Sequence, residues 1–161
     1  MNYPDAESLT QSYATNHWLI GVLIEGLTND DSLVQPPYEG NCLNWVLGHI
    51  LSGRHTAMKL VGAAPVWSQE EIDIYKTGSL PITSSDQALP LEKLVGDLDQ
   101  TQERIAAALG GISEAGLLEE AETDRGLKPI TQHLAGLHWH ETFHVGQLEL
   151  LRDLATASHN K

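Results

Sequence analysis

The residues best suited to chemistry in this sequence are its eight histidines: His17, His49, His55, His133, His138, His140, His144 and His159. Four of them fall between positions 133 and 144. On an α-helix, positions four apart stand one above the other, so His140 and His144 project from the same face. Leu137, Leu148 and Leu151 extend that line, which marks it as a stripe for burial. A buried imidazole loses hydration unless its nitrogens are satisfied, and a shared cation satisfies two at once. Zinc, nickel, iron and cobalt all accept imidazole nitrogen. The pair therefore reads either as metal ligands or as neighbouring core or surface histidines.

His49 lies in a second apolar stripe with Cys42, Trp45, Val46, Ile50, Gly53, Ala57 and Leu60. It either completes a metal site across two helices or is a core histidine bonded to a backbone carbonyl. His17 is the best candidate for a fourth neighbour or a pocket lining. His138 is two positions from His140 and points elsewhere. His133 shares the face of His140 but is about 10 Å away along the axis. His55 and His159 read as solvent-facing.

His140-Glu141-Thr142-Phe143-His144 also spells the H-E-x-x-H zinc-protease pattern, in which the glutamate serves as general base. No histidine follows at the longer spacing of such enzymes, only 17 residues follow His144, and no strand is evident to hold a peptide. A protease is set aside. Glu141 remains a candidate for proton transfer in another reaction, or a residue facing solvent or a partner chain.

Helical periodicity supplies the elements that would position these groups. A first helix is expected over 6–28, then a loop carrying Pro36-Pro37. Asn41 is a plausible N-cap for a second helix reaching about Leu60, stopped by Gly62. The stretch 62–88 is irregular and long for a simple bundle; it carries a short helix around Gln69 to Tyr75 or crosses between bundle ends. A third helix runs from Pro90 to Leu109, and a second irregular connection occupies 111–129. A fourth helix continues from Thr131 to about Thr156. No stretch alternates with period two, so there is little case for a sheet. One domain, residues 1–161, built as an all-α four-helix bundle, accounts for these lengths.

Composition narrows the partners. Nine Lys and Arg stand against 22 Asp and Glu, a formal net charge of -13. This opposes binding to nucleic acid, which draws on cationic side chains, and to anionic membrane surfaces. A single cysteine, Cys42, leaves no intrachain disulfide and suits a reducing compartment; it reads as a small buried residue near a helix start, or else as a nucleophile or ligand. The N-terminal segment is acidic without an apolar run, unlike a signal peptide, and no segment has the 18 or more apolar residues of a membrane span. The expected location is cytoplasmic.

Two segments carry a family pattern. Asn44-Trp45-Val46-Leu47-Gly48-His49-Ile50 and His140-Glu141-Thr142-Phe143-His144-Val145-Gly146-Gln147-Leu148, with Leu151-Arg152 beyond, resemble the DinB-like superfamily. That group includes damage-inducible proteins and the S-transferases that use mycothiol or bacillithiol. The resemblance implies up-down-down-up connectivity with a long crossover between helices two and three. It implies a divalent ion, zinc or nickel, on His49, His140 and His144, with open positions, and a homodimer. It points to a thiol-dependent transferase acting on small electrophiles, with a metal-dependent hydrolase and a non-catalytic bundle as alternatives. His17 and Glu141 would then be the catalytic side chains, with Trp45, Trp139 and Tyr13 as possible lining; Trp139 otherwise serves packing or a dimer contact. Arg54 and Arg152 are the nearest cations for a low-molecular-weight thiol, and both otherwise read as solvated residues.

Overall fold

The computed structural model describes residues 3–157, so the expectation for His159 lies outside the described residues. Four long helices dominate: α1 (Ala6–Ile24), α3 (Leu43–Leu60), α5 (Leu91–Gly111) and α7 (Ile130–Ala157). Short helices α2 (Asn29–Ser32), α4 (Gln69–Tyr75) and α6 (Glu114–Leu118) and a 3-10 turn at Ser85–Gln87 fill the connections. Each long helix packs against two others, α1 and α3 both contacting α5 and α7.

Local chemistry sets the boundaries. Asp5 accepts the Ser8 amide at the start of α1, and Pro90 precedes α5 where a missing N–H is harmless. Thr28 and Ser68 head capping boxes with Asp31 and Glu71, which start α2 and α4. α1 therefore ends at Ile24, four residues before the expected Thr28, because that threonine begins a new helix. Cys42, not Asn41, is the N-cap of α3, and it offers no side-chain cap.

Hydrogen bonds near the helix ends show which termini are neighbours. Asn44 Nδ2 donates to Leu89 O, placing the start of α3 beside the start of α5. Thr131 Oγ1 donates to Pro4 O, so α7 begins next to α1. At the far end of α7, Arg152 donates to the carbonyls of Val22, Leu23 and Glu25. It is thus not merely solvated: it satisfies carbonyls that the last turn of α1 leaves without amide partners.

The connection before α7 departs from the all-irregular expectation. Residues Glu120–Thr123 (β1) and Gly126–Pro129 (β2) form an antiparallel hairpin, with Glu120 opposite Pro129 and Thr123 opposite Gly126. Four-residue strands are too short to show a period, and this pair rests on tertiary support. His133 holds it, its Nε2 2.9 Å from Ala121 O and its Nδ1 3.3 Å from Thr123 Oγ1. Gly126 takes φ +86°, which a side chain would resist.

The core splits into two apolar clusters with a polar level between them. One gathers Ile20, Leu47, Leu51, Leu98, Val145 and Leu148; the other Leu9, Tyr13, Ala57, Met58, Ile105 and Leu134. Between them, Asn16, Arg54, Thr101 and Glu141 are buried, one from each long helix. No helix among the described residues is long and apolar enough to cross a membrane.

Candidate metal centre

His49 owes its position to a missing side chain next to it. A Cβ on Gly48 would lie 2.2 Å from the Tyr75 ring, so only glycine lets the end of α4 press onto α3. The Tyr75 hydroxyl donates to Asn44 Oδ1 at 2.9 Å and accepts the Leu89 amide at 2.8 Å, which locks the segment down. Its carbonyl then accepts from His49 Nδ1 at 2.8 Å. That bond fixes the tautomer, because a carbonyl can only accept, and it leaves the Nε2 lone pair free. The Trp45 ring lies flat on His49, centroids 4.8 Å apart and 11° between planes. His49 is bonded to a backbone carbonyl, as one of its two sequence readings expects, and it also faces two other histidines.

α7 supplies the other two. His144 Nδ1 pairs with Gln147 Oε1 at 2.7 Å, again turning Nε2 inward. His140 Nε2 lies 3.1 Å from His144 Nε2. With His144 Nδ1–H committed to Gln147, this contact is a His140 N–H donating to His144. The candidate ligand atoms of His49, His140 and His144 all lie within 4.8 Å of one another. Two nitrogens about 2.1 Å from one ion in tetrahedral array stand roughly 3.4 Å apart, close to the His140–His144 spacing. Three imidazole nitrogens gathered this closely on two helices, with one pair already at that spacing, fit a divalent ion.

The electrostatics agree. Burial pushes His140 down to about 4, helped by His144, His49 and the Arg125 charge. Burial also holds His49 and His144 below the usual histidine range, against the upward pull of their bonds to Tyr75 and Gln147. Three neutral imidazoles are the state in which histidine binds metals. Among the described residues no fourth His, Cys, Asp or Glu joins this group. Its open side faces a cleft of about 600 Å³ that includes Trp45, Val46, Trp139, Phe143 and Leu151.

The two catalytic candidates are elsewhere. Glu141 faces neither solvent nor the histidines; it is buried and receives Arg54 in a forked pair, Nε–Oε2 at 2.9 Å and NH2–Oε1 at 2.8 Å. One residue along the helix is a 100° turn, which sends Glu141 to the core and His140 to the cleft. Arg54 is correspondingly sealed, not solvated, and also donates to Gln102 Oε1 and Tyr13 O. His17 sits between α1 and α5 with Nε2 2.8 Å from Asp99 Oδ1, and it lines neither cleft at the histidine group. Tyr13 is inside the core and donates to Leu134 O. Of the expected lining residues, Trp45 and Trp139 reach the cleft.

His55 is also buried rather than solvent-facing. Its Nδ1 donates to Leu51 O, and its Nε2 accepts the Val66 and Trp67 amides, which turns the chain after α3. His138 stacks edge-on against Tyr13. Cys42 is fully buried with its thiol pushed up by burial, which suits packing and not nucleophilic attack. The sequence reasoning missed Tyr75 and Gly48 as supports of His49. Gln147, three residues after His144, carried a helical signal for its role.

A helical protein with three convergent histidines beneath an aromatic cleft defines a class, and the comparisons agree. The sequence pattern of the DinB superfamily matches residues 20–148, and the chain belongs to that superfamily. Among solved structures it is similar to a conserved protein from Enterococcus faecalis, with TM-score 0.70, 13% identity, and coverage of 92% of this chain and 95% of the other. It is also similar to the mycothiol-dependent maleylpyruvate isomerase, with TM-score 0.68, 14% identity and 92% of this chain covered. The match spans 63% of the isomerase, and a point mutant of that enzyme aligns at TM-score 0.68 and 15% identity. No curated protein sequence matches the chain.

Proposed function

We propose that this chain is a metal-dependent enzyme in which His49, His140 and His144 hold zinc or nickel and a low-molecular-weight thiol is transferred to a small electrophile. One observation carries the reading: three imidazoles converge on one point with no fourth protein ligand among the described residues and with an open cleft on the remaining side. Closed four-ligand sites are structural, whereas three ligands with an open side suit chemistry. The ion, when bound, lowers the pKa of a nucleophile that approaches it. The chain's own residues do the rest. Tyr75 and Gln147 hold His49 and His144 in the ligating tautomer. The Trp45, Trp139 and Phe143 rings line the cleft, bind an apolar electrophile and thin the water around it.

A thiol is favoured over water because Glu141, the base that the H-E-x-x-H pattern offers, is spent on Arg54. Thiols ionise near pH 8–9 and need less help from a base than water does. The mycothiol dependence of the similar isomerase supports the same choice.

The bundle ends support up-down-down-up connectivity, with α1 and α7 running one way and α3 and α5 the other. A cytoplasmic homodimer is the proposed setting. Trp18, Val22, Phe143 and Leu150 are exposed apolar residues of α1 and α7 suited to a partner copy, and sedimentation tests this.

The decisive experiment is elemental analysis of protein purified without an affinity tag, followed by a thiol panel. Stoichiometric metal that is lost in His49→Ala and His144→Ala, with conjugation of an electrophile to glutathione, bacillithiol or mycothiol, is the expected result. Full metal content in both variants overturns the site; absence of turnover with every thiol overturns the reaction.

A further inference from the structure

The histidine group has a second open side. His49 and His140 also border a cavity of about 330 Å³, whose other walls include Ser52, Thr56, Thr77, Lys76 and Arg125. The aromatic cleft contains no lysine or arginine, whereas this one has a cation from the end of α4 and another from the hairpin turn. In a chain with only nine Lys and Arg against 22 acidic residues, that placement is selective. Lys76 is already paired with Asp73 at 3.0 Å. Arg125 is different.

Among the described residues, the other three arginines are committed. Arg54 holds Glu141, Arg104 holds the carbonyls of Ala64 and Pro65, and Arg152 holds the end of α1. The guanidinium of Arg125 makes no hydrogen bond or ion pair there; only its backbone amide is bonded, to Thr123 Oγ1. It lies across α7 at Gly136, where an added Cβ would be 3.6 Å from its NH1. Gly53, another lining residue, has no atom within 4 Å of an added Cβ, so packing there leaves room. Asp124, at the rim, is the acidic residue of the lining and limits the charge that the cavity accepts.

We propose that this polar cavity is a carboxylate subsite, in which Arg125 pairs with an acid group of the ligand whose reacting atom lies at the histidines. The inference rests on the metal-centre reading for the position of that reacting atom, but the anion subsite itself does not need a metal. A guanidinium presents parallel N–H groups that match a carboxylate, and the hydroxyl-bearing residues Ser52, Thr56 and Thr77 are also in the lining. The two arms divide the labour: the polar side takes the acidic ligand, and the aromatic side takes the apolar one.

The test uses mercaptosuccinate and 1-thioglycerol, titrated by calorimetry into the zinc-loaded full chain, with zinc affinity measured in parallel. Mercaptosuccinate is expected to bind about tenfold tighter than the neutral thiol, as one charge-assisted pair provides. Arg125→Gln is expected to remove that preference while zinc and thioglycerol binding stay as in the wild type. Gly53→Leu, which fills the cavity, should act alike at unchanged melting temperature. Equal binding of the two thiols by the wild type, or an unaltered preference in Arg125→Gln, overturns the proposal. Succinate titrated into the metal-free chain separates the two readings. Binding that Arg125→Gln abolishes, in a chain that takes up no zinc, sustains the subsite and sinks the metal centre. Tighter binding of inorganic phosphate than of succinate overturns the carboxylate assignment.

Discussion

Two polar constellations join α3 to α7, and they sit almost side by side. His49 with His140 and His144 forms one; Arg54 with Glu141 forms the other. Both are built from ionisable groups on the same pair of helices, and His140 and Glu141 are consecutive. They differ in what is left over. Arg54 and Glu141 satisfy each other in a forked pair deep in the core, and Gln102 and Tyr13 O take up further guanidinium protons. The histidines have outer nitrogens anchored by Tyr75 and Gln147 and inner nitrogens turned to one another beside open clefts. A satisfied buried pair sets the register of two helices. A group with a free lone pair on His49 and a single proton shared between His140 and His144 keeps capacity for a ligand.

Removing one partner of the satisfied pair should produce the largest effect. Glu141→Ala leaves a buried guanidinium without its counter-charge and should cost about 3–5 kcal/mol in urea denaturation. Its metal content, measured on the folded fraction, should persist. Loss of the metal with little loss of stability would erase the distinction between the two constellations.

Gly48→Ala tests the support of the histidines. The new Cβ meets the Tyr75 ring, so α4 must shift, at roughly 1–3 kcal/mol of stability. Because Tyr75 O leaves His49 Nδ1, zinc affinity in a chelator competition should fall as well. An affinity equal to the wild type would show that the carbonyl does not orient His49.

A smaller and cleaner change is Gln147→Ala, at a half-buried position. Freeing His144 Nδ1 should weaken zinc binding about 10- to 100-fold, with the melting temperature of the metal-free protein nearly unchanged. Unaltered affinity would mean that packing alone orients the ring.

The gentlest perturbation is acid. His49, His55, His140 and His144 are held below the unfolded histidine value, so in acid the unfolded chain binds protons that the native state refuses. Metal-free stability should therefore be fully present above about pH 6.5 and decline as pH falls toward the value near 4 of His140. A flat urea midpoint from pH 7 to 5 would contradict this. His55 shares the trend without belonging to the three-histidine group, and a His55→Gln variant would separate its share.

The four long helices were legible because each has an apolar stripe recurring at three and four residues over at least 18 positions. The helix at Gln69–Tyr75 was legible too, and it ends in the residue whose carbonyl orients His49. The hairpin was not, since four-residue strands have no period to read and a histidine from the next element holds them. Of the site, the His140–His144 pair and the candidacy of His49 were visible as polar residues on apolar stripes. The pairing of Glu141 with Arg54 was not legible, because the motif gives its spacing to the histidines and says nothing of what stands 100° around the helix.

Taken alone, then, the order of residues determined the helices, the membership of the histidines in buried stripes and the shortage of positive charge. These are properties of local periodicity and composition, and neighbours in sequence suffice for them. Only the tertiary structure decided which side chains meet. Arg54 and Glu141 are 87 residues apart, His49 and Tyr75 O are 26, and whether such a group is spent or free depends on the partner that folding brings. Charge and hydrogen-bonding capacity are carried by each residue, but their satisfaction is a property of the pair.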